Sequence, residues 1–236
     1  MVITTAKLAQ MIDLSKLHPT TTEDELVQFC STVNRYRFAA AYVLPANLSF
    51  ISQRINNGVT KIGTGIGFPF GTSTPMMKLL ECEESIELGA QEIDVVINIG
   101  ALKSGNMRLI LRELQDIVGV AGPRLVKAIL EVSYLTEDEI VEGARVCCDS
   151  GVSYVKTGTG FGGRPTTVRD VKLINRAIEG RVGIKAAGGV SNIDILLDML
   201  RLGVDRFGVS AGDRIIDQFL VEYDGLFDME QMMVLA

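Results

Sequence analysis

Short β-type runs alternate with amphipathic helical patterns along the whole chain, and this alternation constrains the fold more than any other feature. The runs fall at residues 11–13, 39–44, 61–66, 92–98, 125–131, 153–157, 182–186 and 206–209. Helical spacing of apolar residues marks 23–33, 76–88, 107–118, 137–148, 168–178 and 192–202 between them. Several helices open on a capping residue: Thr22 with Glu25, Thr136 with Glu139, Thr167 with Asp170, and Ser191 with Asp194. Gly58, Gly89, Gly151 and Gly203 mark helix ends. Strand then helix, at roughly 25 to 30 residues per unit, predicts a parallel sheet. Eight such units in 236 residues fit a closed (β/α)8 TIM barrel, a single α/β domain over residues 1–236. An open doubly wound sheet is the rival, but it usually has fewer strands and a GxGxxG after the first.

Composition removes several functional classes. With 47% apolar residues a large core is available, and a formal charge of −6 argues against a nucleic-acid partner. The four cysteines form no CxxC pair, and the lone His18 completes no zinc site of usual spacing, so no metal is expected. Reduced thiols fit a cytoplasmic protein. The first 13 residues lack a basic start and a long apolar stretch, so no signal peptide is expected. The longest apolar passage, 38–44, ends at Pro45 and is too short to span a bilayer, so no membrane partner is expected. A Met-rich stretch at 229–233 reads as a frayed helix end, with a mobile lid or an oligomer contact as alternatives.

In a barrel, side chains late in the strands converge on one mouth. Asp13, Asp94, Asn98, Lys127, Glu131, Lys156 and Lys185 then meet in space, although they are scattered in sequence. Asp94 stands among apolar neighbours, and a buried carboxylate needs a cationic partner. Lys156 and Lys185 end neighbouring strands, and two inward lysines repel each other. That repulsion pushes one towards the free amine, the nucleophile of Schiff-base chemistry. The bland alternative makes each lysine a solvated strand-end charge.

Glycine-bearing segments follow the last three strands: 158–163, Gly188-Gly189 with Ser191, and 208–212 with Ser210. Backbone amides in such loops, with a helix N-terminus, suit phosphate. Residues 65–71 are similar in composition but lie across the barrel, and read as a pocket wall.

These motifs resemble those of the deoxyribose-phosphate aldolases. Lys156-Thr157-Gly158-Thr159-Gly160-Phe161 resembles the KTSTGF Schiff-base signature, and Gly67-Phe68-Pro69-Phe70-Gly71, with Lys78 and Glu81 beyond it, the GFPLG loop. The segment 89–98 is similar to the GAxEIDMVIN strand, 185–189 to KxxGG, and 206–210 to RxGxS. The resemblance runs from about Ile12 to Arg214. It implies a metal-free, cofactor-free lyase that reversibly cleaves 2-deoxy-D-ribose 5-phosphate to acetaldehyde and D-glyceraldehyde 3-phosphate. Lys156 would form the imine, with Lys185 holding its pKa down and Asp94 joining Lys185 in proton relay. Gly160, Gly188, Gly189, Gly208 and Ser210 would line the phosphate site. Asp13 and Ser15 would meet substrate hydroxyls, and Lys127 and Thr159 are placed with the substrate-binding set. A homodimer or homotetramer is expected, its partner otherwise only the phosphosugar.

Four positions depart from the pattern. Gly158 stands for a serine, Tyr42 for a cysteine, Ala211 for a second serine, and His18 for a lysine or other polar residue. These leave two alternatives open: the same imine chemistry on a different sugar phosphate, or a phosphosugar-binding barrel without turnover.

Overall fold

The computed structural model describes residues 2–229. Ten strands are present among them: β1 (Val2–Thr4), β2 (Ile12–Lys16), β3 (Ala40–Val43), β4 (Lys61–Ile66), β5 (Glu92–Val96), β6 (Leu125–Ile129), β7 (Tyr154–Lys156), β8 (Gly183–Ala187), β9 (Arg206–Val209) and β10 (Leu226–Asp228). Strands β2 to β9 close into a barrel in sequence order, every neighbouring pair parallel. This is the expected (β/α)8 architecture. The sequence does not reveal β1 and β10, which pair antiparallel outside the barrel. Each is three residues long, too short for a period to register. Apart from Met229, the Met-rich stretch lies outside the described residues.

The helices form for readable reasons. Thr22, Thr136 and Thr167 each make a full capping box with the acidic residue three positions on. The fourth cap differs from expectation. Asn192, not Ser191, accepts from the amide of Ile195 and opens the helix Ile193–Arg201. Gly89, Gly151 and Gly203 do follow helix ends at positive φ, whereas Gly58 sits in a loop beyond the short helix Leu48–Ser52.

Strands β5 and β6 each end two residues earlier than their runs suggest. After β5, Asn98 caps the helix Ile99–Lys103 through the amide of Ala101. After β6, Glu131 turns left-handed at φ 54° and starts a 3-10 turn. In contrast, β2 extends past its expected end, because Ser15 and Lys16 pair with Tyr42 and Val43.

Strand side chains alternate between two very different cores. Outward residues such as Leu14, Val43, Ile93, Val95, Val155 and Phe207 pack under the helices in one apolar shell. Inward residues are largely polar: Asp13, Tyr42, Glu92, Asp94, Lys127, Lys156 and Lys185 are all nearly solvent-free. Inward glycines make room for them. A Cβ on Gly63 would lie 2.4 Å from Cζ of Tyr42, and one on Gly183 would lie 2.4 Å from Cε1 of Tyr154. Overpacking a filled interior typically costs about 1–3 kcal/mol. Gly183→Ala is therefore expected to lose stability by about that amount, read as a lower urea midpoint at unchanged slope, and Tyr154→Leu in the same chain should restore part of it.

Candidate active site

A cavity of about 260 Å³ opens at the C-terminal ends of the strands. Asp13, Tyr42, Lys156 and Lys185 line it at one end, and Ser15, Thr159, Gly160, Gly188, Gly189, Gly208 and Ser210 line the rest, with His18 and Phe161. Most residues singled out from the sequence are thus brought together, but Asn98, Lys127 and Glu131 do not line the cavity. Asp94 lies just beneath, 1% exposed, reaching the cavity through the two lysines.

Register explains the meeting. Lys156 of β7 pairs directly with Lys185 of β8, so their side chains leave the sheet together. Both ammonium nitrogens approach the same oxygen, Asp94 Oδ2, at 2.8 Å and 2.7 Å. Lys185 also ion-pairs with Asp13 Oδ2 at 2.7 Å. Arg206 donates to Asp13 Oδ1 at 2.7 Å, closing the ring of charges between β2 and β9.

Burial pushes the Lys156 amine down to about 8, with the Lys185 cation adding to it and Asp94 opposing both. The sequence alone points to the Lys185 charge as the cause; dehydration is the larger one. Burial also works against the Asp94 carboxylate, but Lys156, Lys185 and Lys127 outweigh it and hold this acid far below its usual range. Asp13 is likewise held down, against burial, by Lys185, Lys127 and Arg206.

Lys127 does not line the cavity. Fully buried, it lies one layer below, donating to Glu92 and to the Tyr42 hydroxyl, each at 2.5 Å. Burial opposes its charge, yet Asp94, Asp13 and Glu92 raise its pKa. It braces Tyr42 and Glu92 from beneath the floor, whereas the sequence grouped it with the substrate-binding set.

Glu131 holds the loop after β7. Its carboxylate accepts from the Thr159 amide at 2.9 Å, from the Thr159 hydroxyl, and from Ser133 at 2.8 Å. A Cβ at Gly158 would come within 3.1 Å of this carboxylate, and one at Gly162 within 2.5 Å. Glycine at 158 suits a loop drawn this tightly onto Glu131. Thr157 and Thr166 both donate to the Ala187 carbonyl, at 2.9 Å and 2.6 Å, and so anchor the turn at Gly188 and Gly189. Across the mouth, Phe68 meets Phe161 edge to face at 5.5 Å, with the Lys156 nitrogen 6.0 Å from the Phe68 ring. Sequence reasoning missed Glu92 and Arg206 as site residues, although both lie two residues before a recognised inward position, Asp94 and Gly208.

Known proteins match this arrangement. Residues 8–216 match the DeoC/LacD family aldolase. The chain belongs to that family. It is 42% identical over 212 residues to the deoxyribose-phosphate aldolase of Microcystis aeruginosa, covering 89% of this chain and 93% of that one. The enzyme of the same name from Methanothermobacter thermautotrophicus is 38% identical over 215 residues, 91% and 96% of the two chains. Among solved structures, the aldolase QR15 superposes with a TM-score of 0.88 at 32% identity, covering 92% and 97%. The deoxyribose phosphate aldolase of Aeropyrum pernix, described as a tetramer, gives 0.83 at 27% identity, covering 91% and 92%. This family member is thus a lyase of the aldolase type. Among the described residues no helix is long and apolar enough to cross a membrane.

The Lys156 amine has a folded pKa below its unfolded value of 10.5. The buried ammonium therefore costs stability below pH about 8, and the cost fades as pH rises towards 10.5. Lys156→Met should accordingly be more stable than wild type at pH 7, by up to about 3 kcal/mol. Denaturant titrations at pH 7 and pH 10 check this; a gap that does not narrow at pH 10 would contradict it.

Proposed function

We propose that this aldolase reversibly cleaves 2-deoxy-D-ribose 5-phosphate to acetaldehyde and D-glyceraldehyde 3-phosphate through an imine on Lys156. One observation carries the reading: a desolvated amine with a pKa near 8 at the cavity floor, sharing a carboxylate oxygen with a second lysine. Near neutral pH a useful fraction of that amine is the free nucleophile. It adds to the C1 aldehyde, and loss of water from the carbinolamine gives the iminium. Removal of the C3 hydroxyl proton then breaks the C2–C3 bond, and its electron pair flows to the iminium nitrogen. Glyceraldehyde 3-phosphate departs and an enamine remains. Protonation at C2 and hydrolysis release acetaldehyde and restore the amine. Lys185 and Asp94 are the proton-relay pair, touching the Lys156 nitrogen's surroundings directly.

The phosphate belongs at the other end of the cavity. Gly160, Gly188, Gly189 and Gly208 let backbone approach the oxygens, and Ser210 offers a hydroxyl. The helix Gly212–Tyr223 opens on Ala211 without a side-chain cap, so no side chain competes with an anion for its first amides. Ser15 and Asp13 lie between the two ends for substrate hydroxyls, with Thr159 on the rim. Because Ala211 lacks a hydroxyl, a second reading keeps the imine but admits a different sugar phosphate. Residues 1–236 act as one aldolase domain in this reading. The four free cysteines, three of them buried, fit a reducing cytoplasm. Exposed Phe70, Met76, Met77 and Leu80 favour self-association as a homodimer or homotetramer.

Borohydride with acetaldehyde should give a stable adduct mapping to Lys156, and Lys156→Leu should abolish it. The same change should lower glyceraldehyde 3-phosphate release, in a coupled assay, by at least about a thousandfold. EDTA should leave the rate unchanged. An adduct on another lysine, or no glyceraldehyde 3-phosphate, would sink the proposal. Ala211→Ser should lower KM for the phosphorylated substrate several-fold with little change in kcat, whereas an unchanged KM would take residue 211 out of the phosphate site.

A further inference from the structure

Tyr42 packs against two linked tiers of charge. Above it are the groups that meet at the cavity floor: Asp13 of β2, Asp94 of β5, Lys156 of β7 and Lys185 of β8. Below it are Glu92 of β5, Lys127 of β6 and Arg206 of β9, with the Tyr154 ring of β7 beside them. Strand β4 brings glycine to this level, and Gly63 leaves the space that the Tyr42 ring fills. The Lys185 nitrogen lies 3.8 Å from the centroid of that ring. The Tyr42 hydroxyl is fixed from below, accepting from Lys127 at 2.5 Å and donating to Glu92 at 3.3 Å.

We propose that Tyr42 is a positioning residue for the imine lysine: its ring seats the Lys185 ammonium against Asp13 and Asp94, and fills the space at the cavity floor that water would otherwise take. The inference rests on the imine reading given above. A cation against a desolvated aromatic face is held electrostatically, and the ring replaces part of the water that the ammonium gave up. With two carboxylates on its other sides, Lys185 has a defined seat and keeps its charge turned towards Lys156. The two tiers are joined through Lys127, 3.5 Å from Asp94 and 3.9 Å from Asp13, and the ring fills the space beside that junction. Dryness around Lys156 is the larger cause of its lowered pKa, and the ring acts on the nucleophile through that dryness.

The ring, not the hydroxyl, carries this role, and that separates the variants. The rate of borohydride trapping of the acetaldehyde imine, with the adduct mapped by peptide mass, is followed from pH 6 to pH 10. Wild type and Tyr42→Phe are expected to share one midpoint. Tyr42→Leu removes the ring from beside Lys185 and leaves room for water at the cavity floor, and should move the midpoint to higher pH by about 0.5 to 1. Gly63→Ala alters no group of the site, yet its methyl would press on the ring at Cζ, so it should move the midpoint the same way. In the cleavage assay both should lower kcat by about three- to tenfold at pH 7, with KM changed less. Thermal melts establish that each variant is folded, and Gly63→Ala decides the matter should Tyr42→Leu not fold. A midpoint in Tyr42→Leu or Gly63→Ala equal to or below wild type overturns the proposal. So does a shift in Tyr42→Phe as large as in Tyr42→Leu, which would put the role in the hydroxyl. If wild type gives no adduct at Lys156, the imine reading fails and this one with it; normal trapping with an unmoved midpoint sinks the Tyr42 role alone.

Discussion

The structure depends on a cluster of ionisable groups held inside a closed barrel, where water cannot screen them. Three acids, Asp13, Glu92 and Asp94, face four bases, Lys127, Lys156, Lys185 and Arg206. Each carboxylate has more than one cation within reach, which is the condition for keeping such groups buried. One base is in excess. Lys156, nearest the cavity and with its carboxylate oxygen already claimed by Lys185, is the group on which that excess falls. A neutral amine at this place balances the interior, and a neutral amine is what attack on a carbonyl needs.

The apolar shell outside the strands makes this interior tolerable. Strand faces packed under the helices supply the hydrophobic stabilisation, leaving the inner faces free for chemistry. Inward glycines complete the arrangement, since long polar side chains on one strand need empty space on the next. Gly63 and Tyr42, and Gly183 and Tyr154, form two such pairs in register across neighbouring strands, and Gly208, in register with Ala187, also leaves room for the Lys185 chain. The barrel is therefore filled in register, large against small.

Much of this is legible in the residues. The eight barrel strands, three of four caps and the cavity-lining set follow from periodicity, capping chemistry and the convergence of strand ends. Depth is not legible. Lys127 and Lys156 look alike in sequence, each inward on an apolar strand, yet one lies beneath the floor and the other forms it. Barrel shear decides that difference, and shear is not written in any single strand. Tyr42 stands out in the sequence only as a departure from a family pattern. Its contacts with Lys127, Glu92 and Lys185 cross three other strands, so no local spacing could show them. Glu131 looks like a strand-end charge and instead turns left-handed to grip the loop after β7. The pair β1 and β10 joins segments more than two hundred positions apart, again beyond local pattern.

The edge-to-face meeting of Phe68 and Phe161 gives the entrance a character unlike the rest of the site. Everything below is pinned by ion pairs and strand register, but this contact joins two loops from opposite sides of the barrel through side chains alone. The entrance beside the nucleophile is thus bounded by two rings carried on separate loops, so its outline is set by loop residues and not by the strands that fix the charges below.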